Sequence, residues 1–261
     1  VTSAYTYREM PPDDMAPVIP WDDFMSYVFD WKQNQHVGLV GPTEQGKTNL
    51  GYHILTLRKF VAYMAIKPYD ETLEKFASAG GYERIEEWPP QKKRFMRPSR
   101  DITADEMPRR LVWPDATQLD SRIRQQEVFQ AMLNDVYADG GWATVLDDFW
   151  YLAHILKFEL HAKMMLMNAR SNNIPMLLAM QRPAGNRMVE VFDQSTHLFF
   201  FRDNDELNLK RIGGVGYMAS EPIRMFTANL DRFQTLYINT RDGRMYRTTA
   251  PELTFGRKKR G

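Results

Sequence analysis

The run Gly41-Pro42-Thr43-Glu44-Gln45-Gly46-Lys47-Thr48 fits the whole glycine-rich phosphate-loop pattern. Each fixed residue answers a physical need. Gly46 lets the backbone approach phosphate oxygens and turn its N–H groups inward. Lys47 reaches the β- and γ-phosphates of a nucleotide such as ATP, and the Thr48 hydroxyl suits Mg2+. Two carboxylates, Asp147 and Asp148, close an apolar run at 143–146. The first is placed to hold Mg2+ through water, and the second to polarise an attacking water. The plainer alternative is a solvated strand end or a helix N-cap, which aspartate also fills well. Gln181 closes a further apolar run at 175–180. Its amide either senses the γ-phosphate and orients the water, or is an ordinary strand-end amide.

This chemistry requires strands that deliver the residues to one edge. Residues 36–40 read as a short buried strand running into Gly41, and 48–58 as a helix, so the loop has the flanks it needs. Further buried strands are expected at 60–66, 111–113, 143–148, 175–181 and 197–202. Helices are expected at 119–137 and as one long element from Asp148 to about Arg170. Residues 69–108 read as loop-rich and partly helical. Asp242-Gly243 between 235–240 and 245–249 signals a hairpin. Strands alternating with helices predict an α/β protein with a mainly parallel central sheet of about five or more strands flanked by helices, and a C-terminal β-hairpin. Ligands of such sheets sit at the carboxyl ends of the strands. Pro11, Pro12, Pro17 and Pro20 predict an extended N-terminal arm and short helix over 1–32. The core would span 33–250, with a basic tail over 251–261.

With 261 residues and 43% hydrophobic composition, the chain can bury one substantial core. Its 34 basic and 33 acidic side chains nearly cancel, so any nucleic-acid contact needs local patches. The run Lys92, Lys93, Arg94, Arg97 and Arg100 and the cluster Arg257 to Arg260 are candidates, with solvated loop and tail as the alternatives. The absence of cysteine excludes disulfides, thiolate metal sites and a cysteine nucleophile. The charged first stretch is unlike a signal peptide, and no apolar run approaches the ~20 residues of a membrane span. A soluble, cytoplasmic protein is expected. His154 and His161, seven apart, suit a zinc pair poorly, and Met164, Met165 and Met167 read as core filler.

The segment Asn168-Ala169-Arg170-Ser171-Asn172-Asn173-Ile174-Pro175, followed by Leu177-Leu178-Ala179-Met180-Gln181-Arg182-Pro183, resembles the FtsK/HerA superfamily of DNA-pumping ATPases. Met180 stands where that family usually has Thr. The likeness runs from about Val37 to Gly214 and includes the strand 196–202. It implies a P-loop NTPase of the additional-strand (ASCE, RecA-like) type that hydrolyses ATP with Mg2+. Gly41 to Thr48 would bind nucleotide and Asp147 would serve Mg2+. Asp148 would replace the family's catalytic Glu, one methylene shorter, and Gln181 would be the polar sensor. The family works as rings, so a homo-oligomer of five or six subunits is implied, with an arginine reaching a neighbour's nucleotide. Arg170 is the first choice for that finger, ahead of Arg202 and Arg211. The implied work is translocation of double-stranded DNA, in a chain this small into a viral capsid, with a capsid portal as a further partner. A conjugation or segregation pump, or a nucleotide-gated assembly ATPase, are the alternatives.

Overall fold

A computed structural model describes residues 11–89, 109–181, 189–215 and 220–254. Nine strands among them form one sheet in the order β3-β4-β2-β5-β6-β1-β7-β8-β9. They are β1 (His36–Val40), β2 (Val61–Met64), β3 (Tyr82–Ile85), β4 (Arg109–Val112), β5 (Ala143–Leu146), β6 (Met176–Met180), β7 (Ser195–Phe201), β8 (Gln234–Asn239) and β9 (Met245–Thr249). All pairings from β3 to β7 are parallel, and the hairpin β8–β9 adds two antiparallel ones. The sheet is thus the mainly parallel one expected, with its C-terminal hairpin. β6 lies between β1 and β5, which is the additional strand separating the phosphate-loop strand from the carboxylate strand.

Both faces are covered, as the unbroken apolar runs require. Alternate residues point to opposite sides. Tyr63, Val145, Leu177, Ala179, Phe199 and Phe201 join a cluster with helices α2 (Lys47–Leu55) and α3 (Glu71–Ala79). Met64, Leu146, Leu178, Met180, Leu198 and Phe200 join the other cluster with α4 (Arg122–Asp139) and α5 (Glu159–Asn168). The helices α6 (Val189–Gln194), α7 (Glu206–Gly213) and α8 (Ser220–Ala228) complete that side. The face of α2 is fixed by Tyr52, which stacks on Phe76 at 3.9 Å.

The described part of the N-terminal segment packs on the sheet, with Ala16, Phe24, Phe29 and Trp31 buried. After a one-turn α1 (Trp21–Asp23) and a π-helical turn (Phe24–Val28), Phe24 sits at 0% exposure against Phe29, Phe199 and Tyr237. Val18 bridges Arg247 of β9 in parallel. No described helix is long and apolar enough to cross a membrane.

Three local expectations fail. Of the methionines read as core filler only Met165 is buried, while Met164 and Met167 are exposed. The long helix from Asp148 to Arg170 is broken: a π-helical turn spans Tyr151–Ile155, and α5 begins only at Glu159. Leu156 and Phe158 are both buried, yet residues two apart face different ways on a helix. Lys157 therefore takes a left-handed φ of 58°, and Gln126 Nε2 donates to the freed Leu156 carbonyl at 2.9 Å. His154 and His161 consequently lie on different elements. Within 69–89, read only as loop with some helix, the chain adds the edge strand β3. The basic runs 92–100 and 257–260 lie outside the described residues.

Candidate active site

The carboxyl ends of five neighbouring strands bring the polar groups together: Lys67 beyond β2, Asp147 and Asp148 beyond β5, Gln181 beyond β6, the phosphate loop beyond β1, and Asp203 beyond β7. The loop begins as Gly41 N–H donates to the Met180 carbonyl at 3.0 Å, tying it to the inserted strand. Glu44 and Gly46 have φ of 61° and 101°, so the chain curls with its amides inward before α2 starts. Gly46 is wedged between two aromatic rings. A Cβ there would stand 3.2 Å from Phe233 Cδ1 and 3.6 Å from Phe201 Cε1, on a backbone already unfavourable for L side chains.

Lys47 lies across this loop and donates to the carbonyls of Gly41 and Pro42 at 2.7 and 2.5 Å. Burial lowers its pKa to about 8, against the opposing pull of Asp147, Asp148 and Asp203. Lys47, Thr48, Tyr63 and Asp147 border a cavity of about 10 Å3 whose other walls are apolar residues of α2 and the sheet, among them Leu39, Val145 and Leu177. Asp147 is held by the Tyr63 hydroxyl, which donates to its Oδ2 at 2.8 Å. Burial pushes the Asp147 carboxyl above the usual range, with the Tyr63 hydrogen bond and Lys67 acting the other way.

Asp148 takes a left-handed φ of 51°, a conformation costly for a residue with a side chain and concentrated at functional sites. Its Oδ1 accepts from Tyr151 N–H at 3.2 Å, and its Oδ2 accepts from Gln181 Nε2 at 3.2 Å. One Asp148 oxygen thus caps the following turn, as the plainer alternative expects, while the other faces the inserted strand. Gln181, in turn, is bound to that carboxylate.

The three arginines separate. Arg170 precedes β6 and Gln181 follows it, so a five-residue strand, roughly 15 Å, lies between them. Arg170 donates to the Gln194 carbonyl at the amino edge and lies away from this chain's own phosphate loop. Burial lowers its pKa, and the charge of Arg241 adds to this. Arg211 sits on α7 with its guanidinium 5.4 Å from the Phe192 ring centroid. Arg202 is exposed directly past Phe201, on the edge that carries the loop.

Sequence reasoning missed three members of the site. Tyr63 looked like strand filler, although a hydroxyl in a buried strand needs a partner. Lys67 ends the β2 segment and pairs with Asp70 at 3.0 Å. Asp203, 3% exposed, accepts from Asp205 N–H and Asn208 Nδ2, both at 2.9 Å. Burial raises its pKa. The signal was present as the polar stretch 202–205 closing an apolar strand.

No protein-family model and no curated protein sequence matches the chain. Solved structures do. The genome packaging NTPase B204 from Sulfolobus turreted icosahedral virus 2, in complex with ATP-γS, aligns with TM-score 0.52 at 14% identity. That alignment covers 86% of this chain and 100% of B204. B204 from Sulfolobus turreted icosahedral virus, described as a DNA-packaging ATPase, gives 0.53 at 16% identity over 86% and 100%. ATPases 2 and 3 of EssC from Geobacillus thermodenitrificans give 0.50 at 10% identity, covering 83% of this chain and 39% of that one. The type VII secretion ATPase EccC of Thermomonospora curvata gives 0.51 at 13% identity, covering 87% and 26%. With the strand inserted between phosphate loop and carboxylates, the chain shares the fold of these packaging and secretion ATPases.

Proposed function

We propose that the chain is a Mg2+-dependent ATPase that forms a homo-oligomeric ring and drives double-stranded DNA, as a viral genome-packaging motor does. One observation carries this reading: the inserted strand β6 delivers Gln181 to Asp148, between a phosphate loop on one side and Asp147 on the other. The likeness to B204, matched over its whole length, supports packaging over the secretion ATPases, of which only 39% and 26% are matched.

The residues fit the cofactor. Thr48 and Asp147 line one cavity and offer the hard oxygen ligands that Mg2+ demands. When bound, the metal would neutralise charge on the β- and γ-phosphates. The chain's own groups do the remainder. Loop amides and the α2 N-terminus hold phosphate oxygens, and Lys47 exchanges its two carbonyl partners for the phosphates. The Asp148 carboxylate accepts the proton of the attacking water, with Gln181 fixing its orientation. Because Arg170 is at the far edge, it serves a neighbouring subunit's site rather than its own.

The test is the ATP hydrolysis rate with and without linear duplex DNA over a range of protein concentrations. A motor gives DNA-stimulated turnover that rises faster than linearly as subunits assemble. Turnover indifferent to DNA but dependent on assembly would mark a nucleotide-gated switch instead.

A further inference from the structure

We infer that the cavity beside Gly46 seats the base of the nucleotide and selects purines by stacking. This rests on the phosphate-loop reading above and adds to it the part of the ligand that the loop cannot read. The cavity measures about 520 Å3, within the usual range of about 300–1,000 Å3 for small-molecule sites. Gly46 forms part of its wall, so it opens directly from the phosphate loop. On the side of Lys47 and Thr48 the cavity holds only about 10 Å3. Of these two cavities, only the one of about 520 Å3 can seat a base attached to phosphates on this loop.

The lining is chosen for a flat apolar body. Phe201, Phe233, Leu50, Ala250, Pro251 and Leu253 supply the walls. Phe233 stands out among them. It is 45% exposed, sits at a left-handed φ of 66°, and carries the Arg232 guanidinium 4.7 Å from its ring centroid. A half-exposed aromatic at a left-handed φ beside the loop offers a flat face on which a ring can stack. The Arg232 cation polarises the ring from one side, leaving the π-face of a base as the natural partner on the other.

The outer wall is a strap. After β9 the chain crosses α2, where Asn49 Nδ2 donates to the Pro251 carbonyl at 2.8 Å and Leu253 N–H donates to Asn49 Oδ1 at 3.0 Å. His53 Nε2 meets the same Pro251 carbonyl at 2.8 Å. Asn49 is thereby committed to the strap, and Thr235 Oγ1 donates to the Thr248 carbonyl at 3.3 Å. The remaining polar lining, Thr72, Thr249 and Glu252, is exposed at the rim. With its side-chain amide and buried hydroxyl already engaged, the pocket recognises ring area and shape more than the hydrogen-bonding edge. Purines are favoured over pyrimidines, and adenine is told from guanine weakly.

Calorimetry on the whole chain with ATP, GTP, CTP and inorganic tripolyphosphate tests this. ATP and GTP should bind within a few-fold of each other, and CTP clearly more weakly. Phe233→Ala should weaken ATP roughly 5- to 150-fold, the worth of one aromatic–base stack, while tripolyphosphate binds as before. Phe233→Trp should keep ATP affinity. Phe233→Leu, which keeps bulk without a π-face, should behave like the Ala variant and serves if that one does not fold. Asn49→Ala, which frees the strap, should show the same selective loss. Unchanged ATP affinity in Phe233→Ala or Phe233→Leu, or CTP binding as tight as ATP, overturns the inference while leaving the phosphate loop intact. A wild-type chain that binds neither ATP nor tripolyphosphate overturns both.

Discussion

The hydrogen bond from Gln181 to Asp148 sets up a quantitative expectation. Replacing Gln181 by Leu removes a donor 3.2 Å from a carboxylate oxygen and, among the described residues, leaves the carboxylate its hydrogen bond from Tyr151 N–H to the other oxygen. A hydrogen bond to a charged group is worth about 1.5 to 3 kcal/mol. If that energy is spent on aiming the carboxylate, kcat should fall roughly 10- to 150-fold, with ATP affinity held within about twofold. Asp148→Asn removes the proton acceptor itself and should lower kcat about 100- to 10,000-fold. The decisive measurement is the double variant. If Gln181 acts through Asp148, the pair is no slower than Asp148→Asn alone, because the amide has lost what it positions. Single-turnover hydrolysis with saturating ATP reads the chemical step for all four proteins. Additive losses would refute this reasoning and return Gln181 to direct contact with the γ-phosphate.

Three other expectations follow from the geometry. Lys47→Ala should abolish hydrolysis and weaken both ATP and tripolyphosphate in calorimetry; unchanged binding would dismiss the phosphate loop. Arg170→Ala should bind ATP normally yet hydrolyse it poorly, since an arginine finger acts on charge that develops in the transition state. Mixing it with Asp148→Asn should restore activity at interfaces that combine one intact site with one intact finger, and a mixture as inactive as its parts would remove Arg170 from that role. Acid should destabilise the fold through His36 and His197, whose burial lowers each pKa from 6.5 to about 4. Both are neutral when folded, while the unfolded chain takes up their protons below about 6.5. Their contribution is therefore complete above that pH and lost as pH falls toward 4, by about 2 kcal/mol each at pH 5. The raised pKa values of Asp147 and Asp203 work in the opposite sense. Urea unfolding at pH 7.5 and pH 5 should show the drop between the two shrinking by about that amount in His197→Gln, and an unaltered drop would contradict the assignment.

Much of the fold was legible because its strands are apolar on both faces. Val37, Leu39 and Val40 of β1 and Leu177, Leu178 and Ala179 of β6 cannot face water on either side, so a covered parallel sheet follows from composition alone. The phosphate loop was legible because its constraints are local. Tyr63, Lys67 and Asp203 were not, since each owes its place to strand order, which no local pattern encodes. β3 was hidden for another reason. Its Tyr82-Glu83-Arg84-Ile85 is half charged, and an edge strand with one free side carries a weak period. The break at Lys157 was illegible because it serves the packing of Leu156 and Phe158 rather than any helix-stop residue.

The two borders of the sheet are blunted differently. On one, Ile19 N–H donates to the Arg247 carbonyl and Arg247 N–H donates to the Pro17 carbonyl, both at 2.9 Å, so residues from the beginning of the chain occupy amide positions that β9 would otherwise present. Arg247 also reaches the Ala16 carbonyl and the Asp13 carboxylate with its side chain. On the other, β3 is four residues long, with Glu83 and Arg84 exposed. Short, charged or occupied margins resist templating by a foreign strand. Copies of this chain crowded together have little opportunity to zip into a shared ladder through these borders.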